Sequence, residues 1–292
     1  MGIPVNRKHM ANRSPVEAVN EQLNKVAKIV NDDSPQPYRG TCKVGVDLGT
    51  ADIQTVVLDA ANEPLACFMD WADVVRDGVV VDYIGACRLV KEQLRRANQR
   101  LGITIEQATT SFPPGTDPRI SINVVEAAGI EVCDVIDEPS SVARLLQLQH
   151  AAVVDIGGGA PGTVISGQGR VIKTMDDQTG GRHITLALAG HFNIPFEEAE
   201  RLKRNTPGAE VLRLAAPVIA KMADLVKAHI AGYASRAIYL TGGCCALPGF
   251  VDVFAAEFHD TDIILPTQPL HLTPLAIAAI SGRADKPMAL VT

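Results

Sequence analysis

Apolar residues recur along this chain at two periods, and the alternation between them outlines an α/β protein. Val16, Val19, Leu23, Val26 and Val30 fall at helical spacing. Ser14 is a candidate N-cap, with Pro15 at the first helical position and Glu17 completing a capping box; the linker Asn31-Asp32-Asp33-Ser34-Pro35-Gln36-Pro37 ends the helix. The apolar stripe of this helix has two readings: it packs on its own domain, or it docks on a partner as a helix laid in a groove. Short β-branched runs then predict strands at 43–47, 53–58 and 65–68, with turns at 48–52 and 60–64. A helix follows over 82–101, with Ile84, Cys87, Leu89, Val90, Leu94 and Leu101 on its apolar side. Next come a strand at 107–112 stopped by Pro113-Pro114-Gly115, a helix at 118–128 closed by Gly129, a strand at 132–136 and a helix at 139–148.

The order then restarts. Strands at 151–155, 163–166 and 171–175 precede helices at 181–191, 197–204 and 209–231. A strand at 237–240, a helix at 249–258, a strand at 262–265 and a last helix at 274–280 complete the pattern. Val44-Gly45-Val46-Asp47-Leu48-Gly49-Thr50 and Val153-Val154-Asp155-Ile156-Gly157-Gly158-Gly159 each join a strand, an aspartate at its end and a glycine turn. The repeat divides the chain into an N-terminal extension (1–40), a first lobe (41–150), a second lobe (151–272), a connecting helix returning toward the first lobe (273–283) and a tail (284–292). Facing lobes set two glycine turns and two carboxylates across one cleft.

Such turns have a definite chemistry. Successive backbone N–H groups in a glycine turn form a concave anion site, and two opposed turns can clamp a polyphosphate. Asp47 and Asp155 repel phosphate unless a cation lies between them; Mg²⁺ keeps its waters and bridges phosphate oxygens, so both aspartates are expected to hold it through water. The turn 157–162 is followed by a strand rather than a helix, which excludes a dinucleotide fingerprint, and no P-loop motif occurs.

Composition narrows the classes. With 27 basic against 33 acidic residues, a net charge of −6 and 4% aromatics, the chain lacks the basic stripe and stacking platforms of a nucleic-acid binder. No apolar run is long enough to cross a bilayer and no signal-peptide core opens the chain, so the expectation is a cytoplasmic protein with no membrane partner. Residues 1–13 carry no pattern, and His9-Met10 is consistent with a natural start at Met10. The six cysteines (Cys42, Cys67, Cys87, Cys133, Cys244 and Cys245) include no C-x-x-C pair and read as small buried thiols. Cys244-Cys245 follow a Gly-Gly turn beside the expected nucleotide.

The two acidic glycine turns resemble the phosphate-1 and phosphate-2 motifs of the actin, sugar-kinase and DnaK-type ATPase superfamily. Asp137-Glu138-Pro139-Ser140-Ser141-Val142-Ala143 resembles its first connecting helix, and Pro274-Leu275-Ala276-Ile277-Ala278-Ala279-Ile280 its second. Tyr239-Leu240-Thr241-Gly242-Gly243 with Leu247-Pro248-Gly249 resembles the adenosine motif, and Glu200-Arg201-Leu202-Lys203-Arg204 the helix on which DnaK-type chaperones rest the nucleoside. Arg76-Asp77-Gly78-Val79-Val80-Val81-Asp82 is similar to a segment of MreB and FtsA proteins. More narrowly, the runs from Asp70 to Gly78 and from Thr110 to Val124 are similar to the EutJ family of ethanolamine-utilisation proteins, described as chaperone-like ATPases of bacterial microcompartment operons.

The resemblance implies two duplicated actin-like (ribonuclease H-like) α/β lobes around a nucleotide cleft, with ATP or ADP and Mg²⁺ as cofactors. It assigns catalytic roles to Asp47, Asp155 and Glu138, the last orienting water. Phosphate falls to Gly49, Thr50, Gly157, Gly158 and Gly159, and the nucleoside to Gly242, Gly243, Glu200 and Lys203. A solvated helix face is the other reading of Glu200 and Lys203. Ala160 stands where chaperones carry Thr, and no equivalent of their catalytic lysine is found, so any ATPase is expected to be slow. The short spacing after 181 implies a reduced outer subdomain in the second lobe, and no peptide-binding domain follows Gly282. The implied partner is a protein client, either an ethanolamine-degrading enzyme or a microcompartment shell protein. The alternatives are a filament-forming MreB/FtsA-like ATPase and a reactivating factor for a cobalamin-dependent lyase; a small-molecule kinase lacks an acidic base placed for a sugar hydroxyl.

Overall fold

The β-branched runs pair into two five-stranded sheets of matching topology. The computed structural model describes residues 15–76, 79–177, 179–205 and 208–281. The expectations for residues 1–13, the Ser14 cap, Asp77-Gly78 and the tail 284–292 lie outside the described residues.

The chain opens with α1 (Pro15–Lys28), which buries Val19, Leu23 and Val26. An antiparallel meander follows: β1 (Cys42–Leu48), β2 (Asp52–Asp59) and β3 (Pro64–Trp71). A small hairpin, β4 (Val75–Arg76) with β5 (Val79–Val80), leads to α2 (Tyr83–Leu101). α2 starts where the Asp82 carboxylate accepts the Gly85 amide and stops where Gly102 turns left-handed, with φ 64°. β6 (Gln107–Phe112), α3 (Pro118–Ala127) and β7 (Glu131–Asp137) add two parallel strands, giving the order β3-β2-β1-β6-β7.

α4 (Glu138–Leu145) carries the chain to the second lobe. There β8 (Ala151–Ile156), β9 (Pro161–Gly167) and β10 (Arg170–Asp176) repeat the meander. After α5 (Gly181–Phe192), α6 (Phe196–Asn205) and α7 (Ala209–Ile230) come β11 (Ala237–Thr241), α8 (Phe250–Ala255) and β12 (Asp262–Ile264), completing the order β10-β9-β8-β11-β12. Between β10 and β11 the described residues form helices and no sheet. α9 (Leu272–Ile280) is buried along its whole length.

Central strands covered on both faces read as continuous apolar runs, and Gly45 to Leu48 and Ala151 to Ile156 are buried throughout. One core lies between the first sheet and α2 and α3. A second joins β8 and β11 to α5, α7 and α8. A third lies between the lobes, where α4 and α9 meet α1, β2, β8 and β9. At this crossing Gly45 is required: a β-carbon there falls 2.4 Å from the Ala278 amide nitrogen of α9. The groove-docking reading of α1 gives way, because its apolar stripe is occupied by its own chain. α1 also ties to both lobes: Gln22 donates to the Asn62 carbonyl at 2.9 Å, and Asn20 accepts the Thr267 amide at 2.8 Å. The linker runs along α2, with Gln36 and Tyr38 amides donating to the Arg100 and Leu101 carbonyls.

Several boundaries move. The helix expected to reach residue 148 ends at Leu145, since Gln147 adopts φ 52° and the Leu148 amide turns back to the Ala143 carbonyl. The helix expected to reach Ala128 ends at Ala127, with Ala128 as its cap; Gly129 then takes the positive φ, 103°. Pro161 and Gly162 are not turn residues: they pair with Ile156 and Asp155 in the β8–β9 ladder. The connecting helix opens at Leu272, inside the range assigned to the second lobe, because a short 3-10 turn at Pro269–His271 feeds directly into it. Cys133 is exposed and Cys42 and Cys87 are half-buried, which corrects the reading of uniformly buried thiols.

Candidate functional site

Matching sheets bring matching hairpins together. Asp47 lies near the end of β1 opposite Gln54, and Asp155 near the end of β8 opposite Gly162. The two turns that follow face each other closely at Gly158 and Gly159 of the second one. A β-carbon on Gly158 lies 3.0 Å from the Ala51 methyl, and one on Gly159 lies 2.9 Å from Thr50 Oγ1. Asp47, Gly49, Thr50, Glu138, Asp155, Gly157, Gly158, Gly159, Gly242 and Gly243 line one cleft. Glu200 and Lys203 line an adjoining cavity that shares Gly157, Gly158 and Gly243 with the first.

The second glycine turn is oriented by α5. The amides of Gly181 and Arg182, at the N-terminus of that helix, donate to the carbonyls of Gly157 and Gly158 at 3.0 and 2.8 Å. Cys244 Sγ donates to the same Gly157 carbonyl at 3.1 Å. In a trans peptide the C=O and the following N–H point oppositely. The N–H groups of Gly158 and Gly159 are therefore turned to the side away from α5. Gly242 closes the floor at φ 93°; a β-carbon there falls 2.5 Å from Asp155 Oδ1.

The cleft is strongly acidic. Asp47, Asp52, Glu138, Asp155 and Asp176 line it, and among the described residues no Lys, Arg or His does. Burial pushes the Asp47 carboxyl up to about 7, against a hydrogen bond from Ser111 Oγ at 2.7 Å that favours the ionised form. Burial and the Asp47 charge likewise bring Asp155 to about 7, opposed by a 2.5 Å bond from Thr273 Oγ1. Asp52 rises to about 6 through burial and the charge of Asp155, tempered by Gln54 and Arg204. Glu138 opens α4 next to the Asp137 cap; burial and the surrounding aspartates hold it well above the usual carboxylate range. Among the described residues no group of three His, Cys, Asp or Glu side chains converges to ligate a metal directly.

On α6, Glu200 and Lys203 are not a solvated face. Their side chains are 13% and 12% exposed and pair at 2.8 Å, and both engage the Thr185 hydroxyl of α5. Burial alone raises the Glu200 carboxyl; Lys203, Thr185 and Arg204 outweigh it, and the net shift is downward.

Sequence reasoning did not single out Asp52, Asp176, Ser111, Thr273, Trp71 or Arg204. Asp52 carried a signal, as a second acid in the first hairpin. Ser111 and Thr273 reach the aspartates only through sequence separations of 64 and 118.

Duplicated sheets, opposed glycine turns and two crossing helices define an actin-like fold. MreB 5 of Spiroplasma citri, solved bound to AMPPNP, superposes with a TM-score of 0.61 at 15% identity, over 83% of this chain and 96% of that one. Residues 139–278 match the family of the type IV pilus assembly protein PilM. Within the class, the ethanolamine utilization protein EutJ of Salmonella typhimurium (strain LT2) is 48% identical over 263 residues, 90% of this chain and 93% of that protein. The crystal structure of EutJ from Carboxydothermus hydrogenoformans superposes with a TM-score of 0.85 at 40% identity, covering 91% of this chain and 99% of that one. The chain belongs to the EutJ family of ethanolamine utilization proteins. No helix among the described residues is long and apolar enough to cross a membrane.

Proposed function

We propose that this protein is a two-lobed nucleotide switch of ethanolamine catabolism, binding ATP with Mg²⁺ and passing the lobe angle to a protein client. The observation that carries the reading is the acidic cleft between two opposed glycine turns. Carboxyls held near neutrality by burial lack a counter-charge, and a polyphosphate enters such a cleft only with a cation. Asp47 and Asp155 are the residues suited to hold Mg²⁺, and through water, since among the described residues no group of three His, Cys, Asp or Glu side chains converges to ligate it directly. The bound cation would neutralise phosphate charge and let the buried carboxyls ionise.

In this reading Glu138 orients the attacking water, a role it can fill only as the anion. Its raised pKa makes that form dependent on cation binding. With Ala160 offering no hydroxyl beside the turn, hydrolysis to ADP and phosphate is slow. That the actin-like MreB 5 was solved with AMPPNP supports an ATP-type ligand. The client is an ethanolamine-degrading enzyme or a microcompartment shell protein, and the protein is chaperone-like in acting on it.

Isothermal titration with ATP and ADP, with and without Mg²⁺, tests the reading. Mg²⁺-dependent binding lost in Asp47→Ala is the expected result; affinity unchanged in that variant, or independent of Mg²⁺, would refute it. Phosphate release then measures turnover, and pull-down from ethanolamine-grown cells identifies the client.

A further inference from the structure

Trp71 is the single tryptophan of the chain and ends β3 in the first lobe, where it pairs with Asp52 of β2. It is 47% exposed, unusual for so large an apolar side chain. Arg204 reaches it from α6 of the second lobe, with its guanidinium carbon 4.1 Å from the indole centroid. This is a cation–π contact made across the cleft between the lobes. Arg204 is also ion-paired with Glu200 of its own helix, Nε lying 2.9 Å from Oε1.

The pair stands between two cavities. On one side lies the space bounded by Gly157, Gly243, Cys244, Leu247 and Pro248, which continues into the acidic cleft. On the other lies a space lined by Asp73, Arg182, Phe196, Glu197 and Arg201, which reaches Thr50, Ala51 and Gly158 at the turns. Trp71 and Arg204 line both. Within the cleft the lobes also meet at the turns, where Thr50 and Ala51 face Gly158 and Gly159, and through Gln54, which donates to the Leu270 carbonyl at 3.0 Å and bonds the His271 ring at 2.8 Å. Behind the cleft the lobes are joined through α1 and the α4–α9 core. A contact on the solvent side, opposed to that core, is placed to resist opening.

We propose that Trp71 and Arg204 form a cross-lobe clasp that closes the nucleoside end of the cleft, so that bound nucleotide leaves only when the pair parts. The proposal rests on the reading of the cleft as an ATP site. Asp52 extends it to the phosphate end: it lines the acidic cleft, pairs with Trp71 in the β2–β3 ladder and feels the Arg204 charge. An unclasped Arg204 removes the positive charge that lowers that carboxyl's pKa.

The lone tryptophan makes the clasp directly observable. Arg204→Gln, which keeps a planar polar end group but removes the charge and shortens the side chain, is expected to shift the Trp71 emission and raise its acrylamide quenching in the nucleotide-free protein. Release of methylanthraniloyl-ATP, chased with unlabelled ATP in the presence of Mg²⁺, measures retention. Arg204→Gln and Trp71→Ala are each expected to speed release by about three- to tenfold, the double variant no more than either alone. Lys173→Gln is the control, since Lys173 lies over Tyr233 within the second lobe, 5.9 Å from its centroid, and lines neither the cleft nor the two cavities, so its loss should leave release unchanged. If ATP binds in isothermal titration but both clasp variants release it at the parent rate, the clasp is wrong and the ATP site stands. If the parent binds no ATP at all, the ATP site fails, and retention with it. Additive rates in the double variant would also overturn the clasp, since they would mean that the two residues act separately.

Discussion

Asp47 and Asp155 occupy the same position in two sheets of the same order, but they are anchored from different directions. Ser111, which bonds Asp47, comes from β6 of the same lobe; Thr273, which bonds Asp155, comes from the helix that crosses between lobes. The connecting helices differ too. α9 lies against β1 at backbone distance because residue 45 is glycine, whereas the equivalent residue of β8, Val153, keeps a full side chain in the inter-lobe core beside Val142 and Ala143 of α4. One half of a duplicated fold thus holds its carboxylate internally. The other half ties its carboxylate to the hinge, so that whatever ionises or neutralises Asp155 acts on the element that joins the lobes.

The sharpest way to break the symmetry is by charge. Both carboxyls have folded pKa values near 7 against an ordinary 3.8. Below about pH 4 each is protonated folded or unfolded and has no effect on stability. Between about 4 and 7 the unfolded chain gives up its proton while the folded chain keeps it, so stability falls as pH rises and levels off above 7. Asp47→Asn and Asp155→Asn should therefore match the parent near pH 4 and exceed it at pH 8 without divalent cation, by about 4 kcal/mol each before coupling. Chemical denaturation at several pH values checks this; a constant difference across the range would contradict it.

Packing gives a smaller contrast of opposite sense. Gly45→Ala forces α9 away from β1 and should cost about 1–3 kcal/mol. Val153→Ala leaves a cavity on the other side of the same core and should cost about 2 kcal/mol. Equal and negligible losses would mean that the lobes are not held by this crossing. The hydroxyls give the smallest effects. Ser111→Ala and Thr273→Val should each cost about 1 kcal/mol, and each should push its own aspartate to still higher pKa by removing a bond that favours the anion. Nuclear magnetic resonance titration of the carboxyl carbons reads each site separately.

The repeat of strand, aspartate and glycine turn is written within seven consecutive residues, and so were the strands around it. Alternating or continuous apolar runs depend on neighbours two to four positions away, and such short-range patterns survive into any fold that buries them. The duplication, the two carboxylates and the glycine turns were legible for that reason, and Glu138 could be placed through its Asp-Glu-Pro helix start. The helix limit near Leu148 slipped because a left-handed residue, here Gln147, can end a helix without being glycine. The hydroxyls on Asp47 and Asp155, the packing of Glu200 and Lys203 onto Thr185, the covering of α1, and the meeting of Trp71 with Arg204 belong to the tertiary structure alone. Each joins side chains brought together by the closing of two lobes or by helix packing, and no local period records which face a helix or strand edge will meet. The sequence by itself determined the chemistry carried to the end of each sheet; how that chemistry is buried, paired and closed over was decided by contacts between segments far apart in the chain.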